Sequence, residues 1–267
     1  MYTLGFIGTG NMGGALAKAA SKKLCGAQIL LSNRTAEKAL SLAKELGCAA
    51  ADNLSVCRDS LCIVLGVKPQ MMPGLLHELA PILRSREDSF VLVSMAAGLT
   101  IARIRELAGG DYPVIRIMPN TPCAIGSGVV LCCRSENVTD DDYAAFREVF
   151  SEAGLILDIS ESQMDAGSAI SGCGPAFVYM FIEALSDAGV ACGLPYADAQ
   201  RLAAATVEGA ARMVQKSTEH PAQLRNRVCS PGGSTIAGVL SMESRGFRAA
   251  VSEGVCASFE RTKELGK

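Results

Sequence analysis

Two glycine-bearing turns, one near each end of this 267-residue chain, have the residue types to hold anions on backbone groups. The first is Gly8-Thr9-Gly10-Asn11-Met12-Gly13. Its G-x-G-x-x-G spacing follows a short apolar run over residues 2–7 and precedes the helical pattern GALAKAASKKL, the setting that a dinucleotide pyrophosphate needs. The first glycine makes the tight turn, the second lets the backbone approach the phosphates, and the third lets helix pack closely on strand. The second turn lies within Arg225-Asn226-Arg227-Val228-Cys229-Ser230-Pro231-Gly232-Gly233-Ser234-Thr235. Pro231 fixes one φ, Gly232 and Gly233 open conformations closed to other residues, and Ser234-Thr235 stand at the expected N-cap of a helix through IAGVLSME. Free N–H groups and the positive end of a helix dipole would converge there on one small carboxylate. The same residues also suit an ordinary Pro-Gly connection between helices.

Cofactor choice should be written at the end of the second strand, Gln28–Ser32, about twenty residues beyond the glycines. An NAD-preferring chain places an Asp or Glu there for the ribose hydroxyls; this one has Asn33-Arg34-Thr35. An acid would repel a 2′-phosphate, whereas Arg34 can pair with one and Ser32 and Thr35 can add hydroxyl donors. The plain alternative is a solvated arginine at a helix start. NADPH is therefore the expected cofactor, with NADH as second choice. Lys68, just after another apolar run, serves either as a catalytic acid or as a rim charge.

These residues need a scaffold, and the pattern supplies an α/β one. Buried-strand runs at 61–67, 89–95, 112–118, 128–133 and 155–160 alternate with helical stretches at 71–83, after Gly98, and around 140–153. Parallel sheets bind ligands beyond the carboxyl ends of their strands, so the turns Gly8–Gly13, Gly66–Pro69, Met95–Gly98 and Pro119–Pro122 should share one rim. From Glu161 the strand signal stops. A helical run to Gly193 is interrupted at Ser171-Gly172-Cys173-Gly174-Pro175, and Ala-rich and further helices follow. The expected organisation is a Rossmann-type dinucleotide-binding domain over 1–160 and an all-helical substrate-binding and dimerisation domain over 161–267. The segment AFVYMFIEALSDAGVACG is apolar nearly all round, with only Glu183 and Asp187 charged, which predicts a helix covered on most sides and a homo-oligomer formed through it.

Composition narrows the class. Net charge is −2 and aromatics are 5% with no Trp, which argues against nucleic acid. No run reads as the roughly 18 apolar residues of a membrane span, and MYTLGFIGTG reads as a strand rather than a signal peptide. Eleven cysteines without a C-x-x-C and only two histidines, His77 and His220, predict reduced buried thiols in a cytoplasmic protein and no metal site.

The ordered set G-x-G-x-x-G, V-K-P, M-A-A-G, M-P-N-T-P, S-G-C-G-P and V-C-S-P-G-G-S-T resembles the Δ1-pyrroline-5-carboxylate reductase family along essentially the whole chain. The resemblance implies reduction of a cyclic imine to L-proline by NADPH or NADH, the last step of proline biosynthesis. It also implies a dimer through the helical domain, which some members assemble into decamers. Gly8–Gly13 would hold the pyrophosphate, Ser32, Asn33 and Arg34 would face the ribose phosphate, and Asn53 would lie near the adenosine. Gly66, Val67 and Lys68 with Ala96 and Ala97 would line the nicotinamide side. The substrate carboxylate would sit on Val228, Ser230, Gly232, Gly233, Ser234 and Thr235, with Glu219 nearby and the Thr235 hydroxyl on the ring nitrogen. Cys229 stands where the family usually has a small hydroxyl residue and Arg227 where it often has Asn, so neither side chain inherits a role. A β-hydroxyacid dehydrogenase would need a lysine within the helices from 163 to 214, which have none. A non-enzymatic NADP sensor would have no use for the second turn.

Overall fold

The computed structural model describes residues 1–265. Eight strands form one sheet in the order β3-β2-β1-β4-β5-β6-β7-β8. They are β1 Tyr2–Ile7, β2 Ile29–Ser32, β3 Ala49–Ala50, β4 Ser60–Leu65, β5 Val91–Ser94, β6 Val114–Pro119, β7 Gly128–Arg134 and β8 Gly154–Asp158. Pairing is parallel from β3 to β6; β7 runs antiparallel to β6, and β8 is parallel to β7. The carboxyl ends of β1, β2, β4, β5 and β6 therefore share one edge.

The period-two alternation of the strands explains why both faces are covered. Leu4, Phe6, Val64, Val91, Val93, Ile115 and Ile117 point to one side, against helices α1 Asn11–Ala20, α2 Ala36–Leu46 and α6 Asp140–Val149. Ile7, Ile63, Leu65, Leu92 and Val114 point to the other, against α3 Asn53–Asp59, α4 Met72–Ser85 and α5 Ile101–Ala108. The sequence pattern gives neither β3, which has two residues, nor α3, whose single signal is the Asp52 cap accepting from Ser55 N at 2.7 Å.

Two compact units divide the chain: Met1–Gly172 with Ser258–Lys267, and Cys173–Ala257. The sequence division at 160/161 marks the end of the strands. The first unit runs further because α7 Met164–Ser171 is tied to the sheet. Met164 packs with Met118 and Leu131, and buried Arg116 of β6 reaches Glu161 at 3.2 Å and Asp165 at 3.3 Å. Asn120, also buried, donates to Ser171 O at 2.9 Å and accepts from Val129 N at 2.8 Å.

The second unit contains α8 Gly174–Ala191, α9 Tyr196–Lys216, α10 Pro221–Arg227, α11 Ser234–Ser244 and the first part of α12 Phe247–Leu265. Helix α8 differs from its expected burial. Within one chain only Ser186 of this helix is buried, while Val178, Tyr179, Met180 and Val190 are exposed. An 85-residue helical unit has too little interior to enclose such a helix. By length and composition alone the stretch Glu161–Ala191 is apolar enough to cross a bilayer, so the expectation of no such segment does not hold on those measures. The stretch is broken between α7 and α8 and carries Glu183 and Asp187.

Candidate active site

In the first unit the sequence builds its cavity where β1, β2 and β4 end. Gly8 N donates to Ser32 O and Gly66 N to Ile7 O, both at 2.8 Å, so three strand ends are drawn together. Space there is too tight for side chains. Gly8 has φ +103°, and a Cβ on it would stand 2.6 Å from Gly66 O. A Cβ on Gly13 would stand 2.1 Å from Gly8 O. At Gly10 a Cβ would meet nothing within 4 Å, because this position opens on the cavity itself. That is the division of labour a pyrophosphate requires: two glycines for close packing, one for access.

The cavity has a volume of about 680 Å³. Of the residues expected to bind cofactor, it brings together Gly8, Gly10, Asn33, Arg34, Asn53, Gly66, Val67 and Lys68. Thr35 lines it too. Thr9, Asn11, Met12 and Gly13 form the turn and the first turn of α1 without lining the cavity. Asn33 spends its side chain on architecture, accepting from Thr9 N at 3.2 Å and donating to Thr35 O at 3.1 Å. Ser32 departs from the expectation of a phosphate donor. It is buried, its hydroxyl donates to Asn53 Oδ1, and it positions Asn53 instead. A strand residue has to point either in or out, and the pleat sends Ser32 inward. Ala96 and Ala97 follow β5 and lie outside the cavity: Ala96 is buried, and Ala97 packs against Met118, Leu131 and Met164.

One wall of the cavity carries no sequence motif. Gln70, Met71, Gly74, Leu75 and Glu78 come from the start of α4 and the turn before it, and Lys38 comes from α2. The 71, 74, 75, 78 spacing is a helix face, and that was the available signal. These groups fit an NADP molecule: glycines that clear the phosphate path, cations at the ribose end, and an apolar wall for a flat ring.

In the second unit the Pro231-Gly232-Gly233 turn forms as expected, with one change of register. Gly233 is the N-cap of α11, so Ser234 and Thr235 are its first two helical residues and not the cap. No side chain caps this helix. Gly232 has φ +67°, a conformation L side chains rarely adopt. Gly233 N donates to Ser230 O at 3.0 Å, and the first bond of the helix runs from Ala237 N to Gly233 O at 3.3 Å. The N–H groups of the intervening residues lie ahead of that bond and face out of the helix end. Val228, Ser230, Ser234 and Thr235 are exposed around the turn. Glu219 is held by Arg227 at 2.5 Å, and its other carboxylate oxygen is buried without a hydrogen-bond partner among the described residues. Arg227 thus has a structural partner in this chain.

A dinucleotide cradle at the ends of parallel strands, followed by a helical unit, defines an NAD(P)-linked oxidoreductase. Comparison with known proteins agrees: residues 3–98 match the family NADP oxidoreductase coenzyme F420-dependent, and residues 161–265 match Pyrroline-5-carboxylate reductase dimerisation. The chain is 41% identical over 216 residues to Pyrroline-5-carboxylate reductase of Synechocystis sp., covering 81% of this chain and 79% of that protein. It is 38% identical over 272 residues to that of Glycine max, covering 99% and 96%. A crystal structure of Plasmodium falciparum pyrroline carboxylate reductase with NADP bound superposes with a TM-score of 0.89 at 34% identity, covering 100% and 98%. The chain belongs to the pyrroline-5-carboxylate reductase family.

Proposed function

We propose that this chain reduces Δ1-pyrroline-5-carboxylate to L-proline with NADPH, the last step of proline biosynthesis. The observation that carries the substrate assignment is the uncapped N-terminus of α11 behind Pro231-Gly232-Gly233, which offers several backbone donors to one small anion. Held by its carboxylate there, a five-membered ring has little freedom, and orientation of this kind is worth several kcal/mol. When bound, the reduced nicotinamide supplies the hydride that the imine carbon accepts. The chain contributes placement and polarity. Thr235, at the second position of α11, hydrogen-bonds the ring nitrogen, and the protonated imine brings its own proton, so no histidine or metal is needed. Ser230, Ser234 and Val228 flank the carboxylate, and Glu219, held by Arg227, lies near the substrate.

On the cofactor side, Gly8–Gly13 carry the pyrophosphate, Asn53 the adenosine ribose and Arg34 the 2′-phosphate. Gly66 and Val67 continue toward the nicotinamide half. Lys68 is an exposed cation of this cavity, and a direct part for it in proton transfer is the weaker of its two readings. The exposed apolar face of α8 supports a homodimer through the helical domain, with dimers assembled into a decamer as the larger assembly. The eleven free cysteines suit a reducing, cytoplasmic setting.

The test is spectrophotometric NADPH oxidation by purified protein supplied with pyrroline-5-carboxylate, with proline identified as the product. Turnover of an open-chain 3-hydroxy acid, with none of the imine, would overturn the assignment.

A further inference from the structure

We infer that Lys38, on the first turn of α2, is a second specificity-determining residue for the 2′-phosphate of NADPH. The inference rests on the cofactor reading above and adds to it a residue that the strand-end position does not predict. Lys38 lines the cavity together with Asn33, Arg34 and Thr35.

The start of α2 is built unlike that of an ordinary surface helix. Helices α3, α5 and α6 are each capped by a side chain: Asp52 accepts from Ser55 N at 2.7 Å, Thr100 from Arg103 N at 3.2 Å and Thr139 from Asp142 N at 3.1 Å. Helix α2 begins after Thr35, whose hydroxyl makes no such bond. The third helical residue, where Glu or Gln commonly completes a capping box, is Lys38. A cation in the first turn opposes the helix dipole and weakens an empty helix. An anion lying over that turn reverses the sign, satisfying the free N–H groups and the lysine together.

Charge in the cavity leads to the same place. Three cations line it, Arg34, Lys38 and Lys68, against one acid, Glu78 on α4. Among the described residues none of the three forms a salt bridge. Glu37, the acidic residue of the same helix turn, is outside the lining. Arg34 precedes the helix and Lys38 follows it by four residues, so one phosphate can sit between a planar guanidinium and a mobile ammonium. Asn33 is committed to Thr9 and Thr35, and Ser32 to Asn53, which leaves the two cations and Thr35 as the side chains free for the phosphate.

Calorimetric titration of the free enzyme with 2′,5′-ADP and with 5′-AMP separates the phosphate contact from the rest of the nucleotide. Lys38→Met should weaken 2′,5′-ADP by about fivefold to tenfold, as expected for one exposed charge-assisted contact, and leave 5′-AMP within about twofold. Lys38→Arg should restore most of the loss. Lys44→Met, on the same helix but outside the cavity, should change neither, and melting curves confirm folding of each variant. Arg34→Ala tests the underlying reading. If it weakens 2′,5′-ADP while Lys38→Met does not, the inference fails and the reading stands. If neither variant affects 2′,5′-ADP, both fall. Equal weakening of both nucleotides by Lys38→Met would mean a general effect on the groove and would overturn the inference as well.

Discussion

Gly10→Ala should separate cofactor binding from folding. Gly10 is the N-cap of α1 with φ −69° and ψ −164°, backbone values that alanine adopts freely. Its added Cβ would meet no atom within 4 Å in the free protein. Folding stability should therefore hold or rise, by up to about 1 kcal/mol, because alanine restricts the unfolded chain. Binding is another matter. The methyl would occupy the space through which the pyrophosphate must approach the backbone. Overpacking costs roughly 1–3 kcal/mol, and a lost hydrogen bond to a charged group roughly 1.5–3 kcal/mol. Together about 3 kcal/mol is a modest figure, which raises the NADPH dissociation constant by about a hundredfold. Gly13→Ala gives the contrast: its Cβ would press on Gly8 O at 2.1 Å, so melting temperature and binding should fall together. Titration of NADPH by fluorescence and thermal melting of both variants suffice. A Gly10→Ala protein that binds NADPH within about threefold of wild type would refute the placement of the pyrophosphate over Gly10.

Thr235→Ala should lower kcat/KM by one to two orders of magnitude, for loss of about 1.5–3 kcal/mol, and leave NADPH affinity unchanged; steady-state and binding assays compare the two. Gly232→Ala places a side chain at φ +67°, at a cost of about 1–2 kcal/mol, and should raise KM for the imine more than it lowers melting temperature. Val178→Asp puts a charge on the exposed apolar face of α8 and should convert the assembly to monomer or aggregate by analytical sedimentation; wild type running as a stable monomer would count against association through α8. Burial, with the charge of nearby Asp158, pushes the Cys132 thiol from 9.0 to about 12, and burial pushes Cys57 from 9.0 to about 11. Both are raised above their unfolded values, so their stabilising effect is complete below pH 9 and is lost as pH rises toward 11 and 12. The urea midpoint should fall over that window, and less steeply in a Cys57→Ala, Cys132→Ala protein.

Much of the chemistry was legible in the chain because its signals are local. The six residues Gly8–Gly13 carry their reason in their own spacing, and Pro231-Gly232-Gly233 dictates a turn whatever surrounds it. The break at Ser171–Pro175 and the alternation of strands and helices are local too, and the motifs together name the family. Other features depended on tertiary structure. Ser32 and Arg34 are two residues apart, yet one turns inward to Asn53 while the other lines the cavity, because β2 ends at Ser32 and Arg34 stands in the turn beyond it, where the chain has left the sheet. Lys38 and the 71, 74, 75, 78 face of α4 meet across a groove made by strands far apart in sequence. The α7 helix sits with the sheet because Arg116 and Asn120 reach it from β6. Helix α8 is apolar nearly all round, with only Glu183 and Asp187 charged, but one chain leaves it exposed. Dihedral preference and periodicity act over a few consecutive residues and survive in the sequence, whereas burial is a property of the whole packed surface, and a side chain's facing is fixed only when distant elements close around it.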